Sequence, residues 1–310
     1  MVKLTPKQKL EFLTKLPQHE QRSDAWFEQR KGRLTSSDAG TALGINPYQK
    51  PVELLFKKCG AGEPFTGNVA TLHGQKYEDE AIEKYCQAMG KRNYEFGLID
   101  FNAVVREDDN HANQKYPGGI GWMAGSTDGI AEDVRGLEDL VVLEVKCPYR
   151  RKIIHGTCPE YYLPQVQLNM AILNINKADF IEYIPANHLG NRMPMQLNIV
   201  RVQRDYEWFD KNVPILEAMW NDIELWRTMD IKTHPNYLDF KYHRPPKKVI
   251  TLDFGNTPNT NMFIDSDSDN EDSDNEDSDN EDSDNEDSDK ESPKVEKSSE
   301  SFMFLDSDSD

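Results

Sequence analysis

Three ionisable residues in the middle of the chain have types that fit one kind of chemistry. Asp128 stands at a predicted turn, and Glu144 and Lys146 follow on a predicted strand, separated by Val145. Residues two apart on a strand point to the same face, so Glu144 and Lys146 share a face that Val145 does not. A hairpin between the two segments would bring the Asp128 carboxylate close to Glu144.

Two carboxylates at the end of a buried sheet repel each other, and a hard divalent cation that binds their oxygens removes that cost. A lysine beside the cation can orient an attacking water or a phosphate oxygen. These are the parts that metal-assisted hydrolysis of a phosphodiester needs. The apolar run at 140–143 predicts that the strand is buried on both faces, and a buried charge needs a partner or a metal.

Each of these residues also has an ordinary structural interpretation. Asp-Gly is a common turn dipeptide, so Asp128 can be only a turn former. Glu144 and Lys146 can form a solvated ion pair on one face of a strand. Short motifs often match by chance, so the spacing alone leaves both interpretations open.

The elements around these residues follow from periodicity and capping signals. Helical spacing predicts helices at about 7–16, 51–58 and 67–89. Capping residues predict one short helix from Ser23 or Asp24 to near Gly32, and another from 36–38 to Gly44. Strands are predicted at 93–105, 129–134, 140–146, 178–185 and 195–203, and further helices at 160–173 and 205–228. This order predicts an α/β domain with a central mixed sheet flanked by helices.

The charge is distributed unevenly. The formal net charge is −19, yet residues 261–310 hold 21 acids and 3 bases, against 34 acids and 33 bases in residues 1–260. The pentapeptide Asp-Ser-Asp-Asn-Glu occurs four times in succession over 267–286. A segment with so few apolar residues is predicted to be disordered. The predicted organisation is a domain at 1–230, an extension at 231–260 and an acidic low-complexity tail at 261–310.

Composition excludes several classes of protein. No apolar stretch reaches the 18 or so residues of a membrane span, and the N-terminal segment lacks the apolar region of a signal peptide. The four cysteines have spacings that match neither a zinc site nor an iron–sulfur site. We expect reduced thiols in an intracellular protein with no membrane association.

A resemblance to a known family adds to this reading. Asp128 followed by Glu144-x-Lys146 resembles the signature of the PD-(D/E)XK nuclease superfamily. Six blocks in the same order, over about 22–185, more closely resemble the YqaJ-type viral recombinase nucleases, the group that includes the exonuclease of phage lambda. The blocks lie at 24–26, 30–38, 44–48, His73-Gly74 with Glu78, 144–148, and Tyr162 with 165–167. The resemblance implies a restriction-endonuclease-like α/β core.

The resemblance also implies roles for single residues. Asp128 and Glu144 would bind the metal with the Val145 carbonyl, Lys146 would position or activate the water, and Glu78 would be a further metal or water ligand. Gln165 or Gln167 would contact the site or the scissile phosphate, and Gln167 fits the family position better.

Arg30 and Ser37 would hold a terminal 5′-phosphate. Physical chemistry supports this role, because Ser37 begins a predicted helix whose N–H groups favour an anion and Arg30 can hold phosphate with two hydrogen bonds.

Three cations, Arg150, Arg151 and Lys152, follow the predicted catalytic strand directly. Beside such a site they are expected to neutralise DNA phosphates, which would make binding depend on salt. The alternative is a solvated loop. No base-reading motif is present, so no sequence specificity is predicted.

The function that the resemblance implies is hydrolysis of double-stranded DNA from 5′-phosphorylated ends, with Mg²⁺ or Mn²⁺, in viral recombination, replication or defence. No iron–sulfur cluster is expected. The implied partners are double-stranded DNA, further copies of the chain in a ring trimer or a dimer, and a basic or single-strand-annealing protein on the tail. If the protein is viral, it would act in the host-cell replication compartment or be packaged in the virion.

Two alternatives stay open. One is an endonuclease, or a nuclease like those of CRISPR adaptation but without an iron–sulfur cluster. The other is a non-catalytic DNA-binding or virion protein.

Overall fold

The computed structural model describes residues 4–62, 68–104, 109–190 and 192–242. Within these residues the strands are β1 (Leu34–Thr35), β2 (Lys91–Tyr94), β3 (Ile99–Asp100), β4 (Met123–Gly125), β5 (Gly129–Asp133), β6 (Val141–Lys146), β7 (Lys177–Ile184) and β8 (Gln196–Gln203). The α-helices are α1 (Pro6–Thr14), α2 (Asp24–Lys31), α3 (Ala39–Ala42), α4 (Pro51–Lys58), α5 (Val69–Met89), α6 (Asn110–Lys115), α7 (Leu163–Leu173), α8 (Tyr206–Arg227) and α9 (Tyr237–Tyr242).

The apolar run before Glu144 becomes the central strand of a five-stranded sheet with the order β2-β5-β6-β7-β8. β6 pairs antiparallel with β5 and parallel with β7, and helix α7 connects the two parallel strands. Val141, Val142 and Leu143 have no exposed surface, as expected for a strand that is covered on both faces. The predicted mixed sheet flanked by helices is confirmed.

A second, three-stranded sheet has the order β1-β4-β3. β4 pairs parallel with β1, where Leu34 is opposite Met123, and antiparallel with β3, where Ile99 is opposite Gly125. The chain then passes from β4 to β5 through residues 126–128 only. Asp128 therefore lies at the junction of the two sheets.

Helix ends follow the capping signals in the sequence. The Ser23 hydroxyl accepts a hydrogen bond from the Trp26 N–H at 3.3 Å and begins α2, and the Asn68 side chain caps α5 in the same way. Gly90 ends α5 with a φ of 63°, in the left-handed region that glycine adopts without strain.

Two groups of buried apolar side chains cover the two faces of β6. Val142 belongs to a large cluster with α7 and α8, whereas Val141, Leu143 and Val145 pack with α5. This alternation directs Glu144 and Lys146 toward the α7 side and places α5 on the other side of the sheet. The two candidate groups of site residues, on β6 and on α5, thus approach the same strand end from opposite faces.

Several predictions need correction. The strand predicted at 93–105 is wrong in its extent: β2 ends at Tyr94, β3 contains only Ile99 and Asp100, and a 3₁₀ turn follows at Phe101–Ala103. The short helix predicted after 36–38 is a 3₁₀ turn, Ser36–Asp38, followed by the four-residue α3. β1, β4 and α6 were not predicted. The tail at 261–310, for which disorder is predicted, lies outside the described residues.

The described part of the predicted extension packs onto the core. Phe56 of α4 contacts the rings of Tyr237 and Phe240, with ring centroids 5.9 Å and 4.6 Å away. The described residues belong to one compact unit. None of their helices combines the length and the apolar character that a membrane crossing requires.

Candidate active site

Asp128 is attached directly to the strand that carries Glu144. Its Oδ2 accepts a hydrogen bond from the Val145 backbone N–H at 2.6 Å. The neighbouring Thr127 donates from its hydroxyl to the Leu143 carbonyl at 2.5 Å. These two side chains continue the β5–β6 ladder beyond its last paired residues. The predicted hairpin is confirmed, and it brings Asp128 to the carboxyl end of β6.

Glu144 is completely buried and points toward α7. Its Oε1 lies 3.0 Å from the Lys146 ammonium, and its Oε2 accepts a hydrogen bond from the Asn169 amide at 3.1 Å. The Lys146 nitrogen also lies 5.2 Å from the centre of the Tyr162 ring. The structure therefore brings Glu144 and Lys146 together on one face, as the spacing predicts.

Glu78 reaches the same strand end from α5, on the other face of the sheet. Its carboxylate forms an ion pair with Arg22 at 3.1 Å. Burial and the nearby Asp128 carboxylate raise the pKa of Glu78 to about 7, against the smaller opposing effects of Arg22 and Lys146. Glu78 and Asp128 are thus close enough to repel each other, the situation that a bound cation relieves.

The donor atoms at this strand end are oxygens. In the described part of the chain, no three His, Cys, Asp or Glu side chains are gathered into a metal-binding group. Mg²⁺ needs fewer protein ligands than that, because it keeps several waters and binds through one or two carboxylates. Burial raises the pKa of the adjacent Cys147 thiol, so this residue is protonated and does not offer a thiolate. The donor set fits a hard divalent cation.

The two candidate glutamines of α7 have different environments. Both ends of the Gln167 amide are engaged away from β6: it donates to the Gln203 carbonyl at 2.9 Å and accepts from the Asp205 N–H at 2.8 Å. The structure therefore does not bring Gln167 to Glu144. Gln165 is half-buried and lies one helical turn before Asn169, on the face that meets Glu144.

Asn169 is the residue at this site that the sequence reasoning missed. It stands in an apolar run, with Leu168 before it and 170–173 after it, and it is completely buried. A single amide in a fully apolar helix is a signal, because a buried polar group needs a partner. The sequence did not identify that partner as Glu144.

Arg30 and Ser37 lie side by side, as the resemblance implies. The Arg30 guanidinium donates to the Ser37 hydroxyl at 2.9 Å and to the Thr35 hydroxyl at 3.3 Å, and it lies 4.4 Å from the Trp26 ring. Arg30 is only 8% exposed. The predicted helix start at Ser37 is wrong, because Ser37 lies in the 3₁₀ turn Ser36–Asp38 and the α-helix α3 begins only at Ala39. The guanidinium and the two hydroxyls are what this position offers to an anion.

A buried ion pair holds this segment in place. Asp38 accepts hydrogen bonds from the Thr35 N–H and hydroxyl at 2.9 and 2.7 Å, and its carboxylate lies 2.7 Å from the Lys58 ammonium. Burial alone would raise the pKa of Asp38, but the charges of Lys58, Lys57 and Arg30 hold it well below its usual range. Lys58 also donates to the backbone carbonyls of Arg30 and Arg33.

The three cations after β6 differ in their surroundings. Arg151 forms an ion pair with the buried Glu182 of β7 at 2.6 Å, which fixes the loop to the sheet. Arg150 and Lys152 are exposed. Arg150 lies 5.7 Å from the Tyr149 ring. Two of the three charges are therefore on the surface next to the Glu144 strand.

Sequence comparison relates this chain to viral proteins. Residues 25–176 match the YqaJ-like viral recombinase domain. The chain is 31% identical over 185 residues to an uncharacterized protein of Acanthamoeba polyphaga mimivirus, a match that covers 56% of this chain and 31% of that protein. It is 26% identical over 176 residues to a protein of African swine fever virus, covering 49% of this chain and 46% of the relative. The matches span less than half the length of either viral relative.

Structure comparison identifies the fold. The alkaline exonuclease LHK-Exo of Laribacter hongkongensis, solved in complex with dAMP, superposes with a TM-score of 0.50 at 22% identity. The match covers 70% of this chain and 100% of that one. The two chains share a fold.

Proposed function

Residues 25–176 of this chain match the YqaJ-like viral recombinase domain, and we propose from this match that the protein is a divalent-metal-dependent deoxyribonuclease. The reaction is hydrolysis of phosphodiester bonds in double-stranded DNA, starting from 5′-phosphorylated ends, in viral recombination or replication. One observation carries the proposal. The buried Glu144 carboxylate has Lys146 at 3.0 Å, and Asp128 is bonded to the residue between them.

The roles follow from the positions. Asp128, Glu144 and the Val145 carbonyl would hold Mg²⁺ or Mn²⁺, which polarises the phosphate and makes water more acidic. Lys146 orients the attacking water from the α7 side of the sheet. Glu78 accepts a hydrogen bond from that water on the α5 side.

The substrate contacts surround this centre. We assign the contact with the scissile phosphate to Gln165 rather than to Gln167, because Gln165 shares a helix face with Asn169, whose amide bonds Glu144. Arg30 and Ser37 hold the terminal 5′-phosphate by charge-assisted hydrogen bonds. Arg150 and Lys152 neutralise phosphates of the duplex, and Arg151 holds their loop in place, so activity should fall as salt rises.

The test is digestion of linear duplex DNA in Mg²⁺ or Mn²⁺ by the wild type and by Lys146→Ala. Loss of the ammonium should lower the cleavage rate by about 10²–10⁴-fold, the usual size of a positioned proton-handling group. Lys177→Ala removes a lysine at the opposite end of the sheet and should leave the rate unchanged. Chelation of the metal should stop the reaction, and added Mg²⁺ should restore it.

Matched DNA ends separate the alternatives. Faster loss of 5′-phosphorylated than of 5′-hydroxyl linear DNA, with closed circles intact, supports an exonuclease that uses the Arg30–Ser37 pocket. Cutting of closed circles would favour the endonuclease. Binding of DNA without digestion in either metal would favour the non-catalytic protein.

A further inference from the structure

The amide of Asn169 determines how the Glu144 carboxylate is turned. Asn169 is completely buried in α7, and its Nδ2 donates to Glu144 Oε2 at 3.1 Å while Lys146 occupies the other oxygen. An ionised carboxylate accepts hydrogen bonds and donates none, so the amide must present its NH₂ group and not its oxygen. Asn169 thus has a single productive orientation.

The other end of this amide fits a narrow niche beside β4. A Cβ added to Gly125 would lie 2.5 Å from Asn169 Oδ1, 2.9 Å from Ile172 Cδ1 and 3.4 Å from Ser36 Oγ. A glycine is therefore required here for the amide to reach Glu144.

The polar atoms in this niche lower the stability of the folded protein. Among the residues that the structure describes, Asn169 Oδ1 and Ser36 Oγ are both buried with no hydrogen-bond partner. A buried acceptor without a donor costs free energy of folding. The compensating contact of Asn169 is the one to Glu144, which points to a task at that carboxylate.

We propose that Asn169 is a positioning residue that fixes the Glu144 carboxylate for the divalent cation. This inference rests on the proposed function. Residues that hydrogen-bond to a metal-binding carboxylate keep its oxygens aimed at the ion, and their removal commonly costs 10–100-fold in metal affinity.

Ser36 links the same niche to the Arg30–Ser37 pocket. Its neighbours in the chain, Thr35 and Ser37, both accept hydrogen bonds from Arg30. The turn that contains these residues lines the pocket with its hydroxyls and the niche with Ser36.

The test is Mn²⁺ binding to the full-length protein without DNA, by calorimetry or electron paramagnetic resonance. Glu144→Gln first identifies which Mn²⁺ site depends on Glu144, because the many carboxylates of 261–310 are additional ligands for a divalent cation. Asn169→Ala should weaken that site about 10–100-fold. Cleavage by this variant should then keep rising at Mn²⁺ concentrations that saturate the wild type, a response that a purely structural role would not produce.

A matched control removes a similar contact elsewhere. Asn198 is also buried and donates to a buried carboxylate, Glu182, at 2.9 Å on the next strand. Asn198→Ala should lower the melting temperature without weakening the Glu144-dependent Mn²⁺ site. An equal loss of Mn²⁺ affinity in both variants would show a general effect of destabilisation and overturn the inference.

Gly125→Ala tests the same idea without touching Asn169 and covers the case that Asn169→Ala does not fold. The added methyl group pushes the amide aside, so it should weaken the same Mn²⁺ site. In the Asn169→Ala background it should add little, because the two changes remove the same contact. Simple additivity of the two effects would contradict the inference.

Two further outcomes are distinguishable. If the wild type has a Glu144-dependent Mn²⁺ site and Asn169→Ala and Gly125→Ala leave it unchanged, Asn169 is not a positioning residue, although the proposed function stands. If the wild type neither binds Mn²⁺ through Glu144 nor cuts DNA, the proposed function fails and this inference fails with it.

Discussion

Asp128 combines a structural and a chemical task in one carboxylate. Its Oδ2 takes the Val145 N–H at 2.6 Å, in the place of a further backbone pair between β5 and β6. Its charge contributes to the raised pKa of Glu78. The two tasks depend on different properties of the side chain, namely its acceptor atoms and its charge, and can therefore be separated by substitution.

We predict that Asp128→Asn and Asp128→Ala are equally inactive but differ in stability. Asparagine keeps an acceptor for the Val145 N–H, whereas alanine leaves that N–H unpaired, at a cost of about 1–2 kcal/mol in the free energy of unfolding. Urea unfolding of both variants measures the difference. If the two variants unfold at the same urea concentration, the bond to Val145 contributes nothing to stability.

The local sequence pattern was sufficient to predict the position of some site residues but not of others. Asp128, Glu144 and Lys146 lie on one continuous hairpin, so turn and strand signals alone place them together. The choice between Gln165 and Gln167, and the contact of Asn169, depend on which face of α7 meets β6. That face is decided by packing between elements distant in the sequence, and no short pattern encodes it.

At the scale of elements, long periodic segments were predictable. Helices α5 and α8 and strands β5 to β8 agree with their predicted ranges within a few residues, because the apolar residues of each repeat with the period of a helix or a strand over its whole length. The segment 93–105 failed for a physical reason. Its ends pair with different strands, β5 and β4, while Phe96 and Leu98 are buried between the two pairings without belonging to a strand. The burial of apolar residues there does not reflect strand pairing.

One carboxylate connects several strands at the end of the sheet away from the candidate site. Glu138, in the β5–β6 connection, accepts from Lys91 of β2 at 2.5 Å, from Lys177 of β7 at 3.2 Å and from Arg201 of β8 at 2.5 Å. Hydrogen bonds from Lys91 and Arg201 lower the pKa of Glu138 to about 2. One side chain thus joins three strands of the five-stranded sheet.

The contribution of Glu138 to the free energy of unfolding depends on pH. The pKa of Glu138 is depressed by folding, so its contribution to stability is fully present above its ordinary value of 4.5 and is lost as the pH falls toward 2. We predict that Glu138→Gln lowers the free energy of unfolding by at most about 2 kcal/mol at pH 7, after allowance for solvent screening, and by much less at pH 3. Urea unfolding at both pH values measures this. A loss that is the same at both would mean that the carboxylate charge is not responsible.

At the scale of the whole molecule, the net negative charge belongs to a part of the sequence outside the described residues. Residues 1–260 are nearly neutral, and almost all of the net charge of −19 lies in 261–310. On the proposed function, a nearly neutral body would attract DNA through local cations such as Arg150 and Lys152. We predict that the acidic segment of the same chain competes with DNA for those cations.

Deletion of 261–310 should therefore raise the affinity for duplex DNA at low salt, and the gain should shrink as salt screens the competition. Fluorescence anisotropy with labelled duplex, over a series of salt concentrations, measures both effects. A full-length variant with the acids of 267–291 replaced by Asn and Gln serves as the control for chain length. Equal affinity of the full-length and shortened chains at low salt would exclude an inhibitory tail.

The parallel pairing of β1 with β4 also has a consequence for biosynthesis. The segment that carries Arg30 and Ser37 leaves the ribosome long before Met123, the partner of Leu34, has been translated. Likewise, the second edge of β6 has no partner until β7 has been translated. Because translation adds only about 5–20 residues per second, the nascent chain spends seconds before β1 and the second edge of β6 have their partners. On the proposed function, the growing polypeptide would acquire its nuclease site only after most of the domain has emerged.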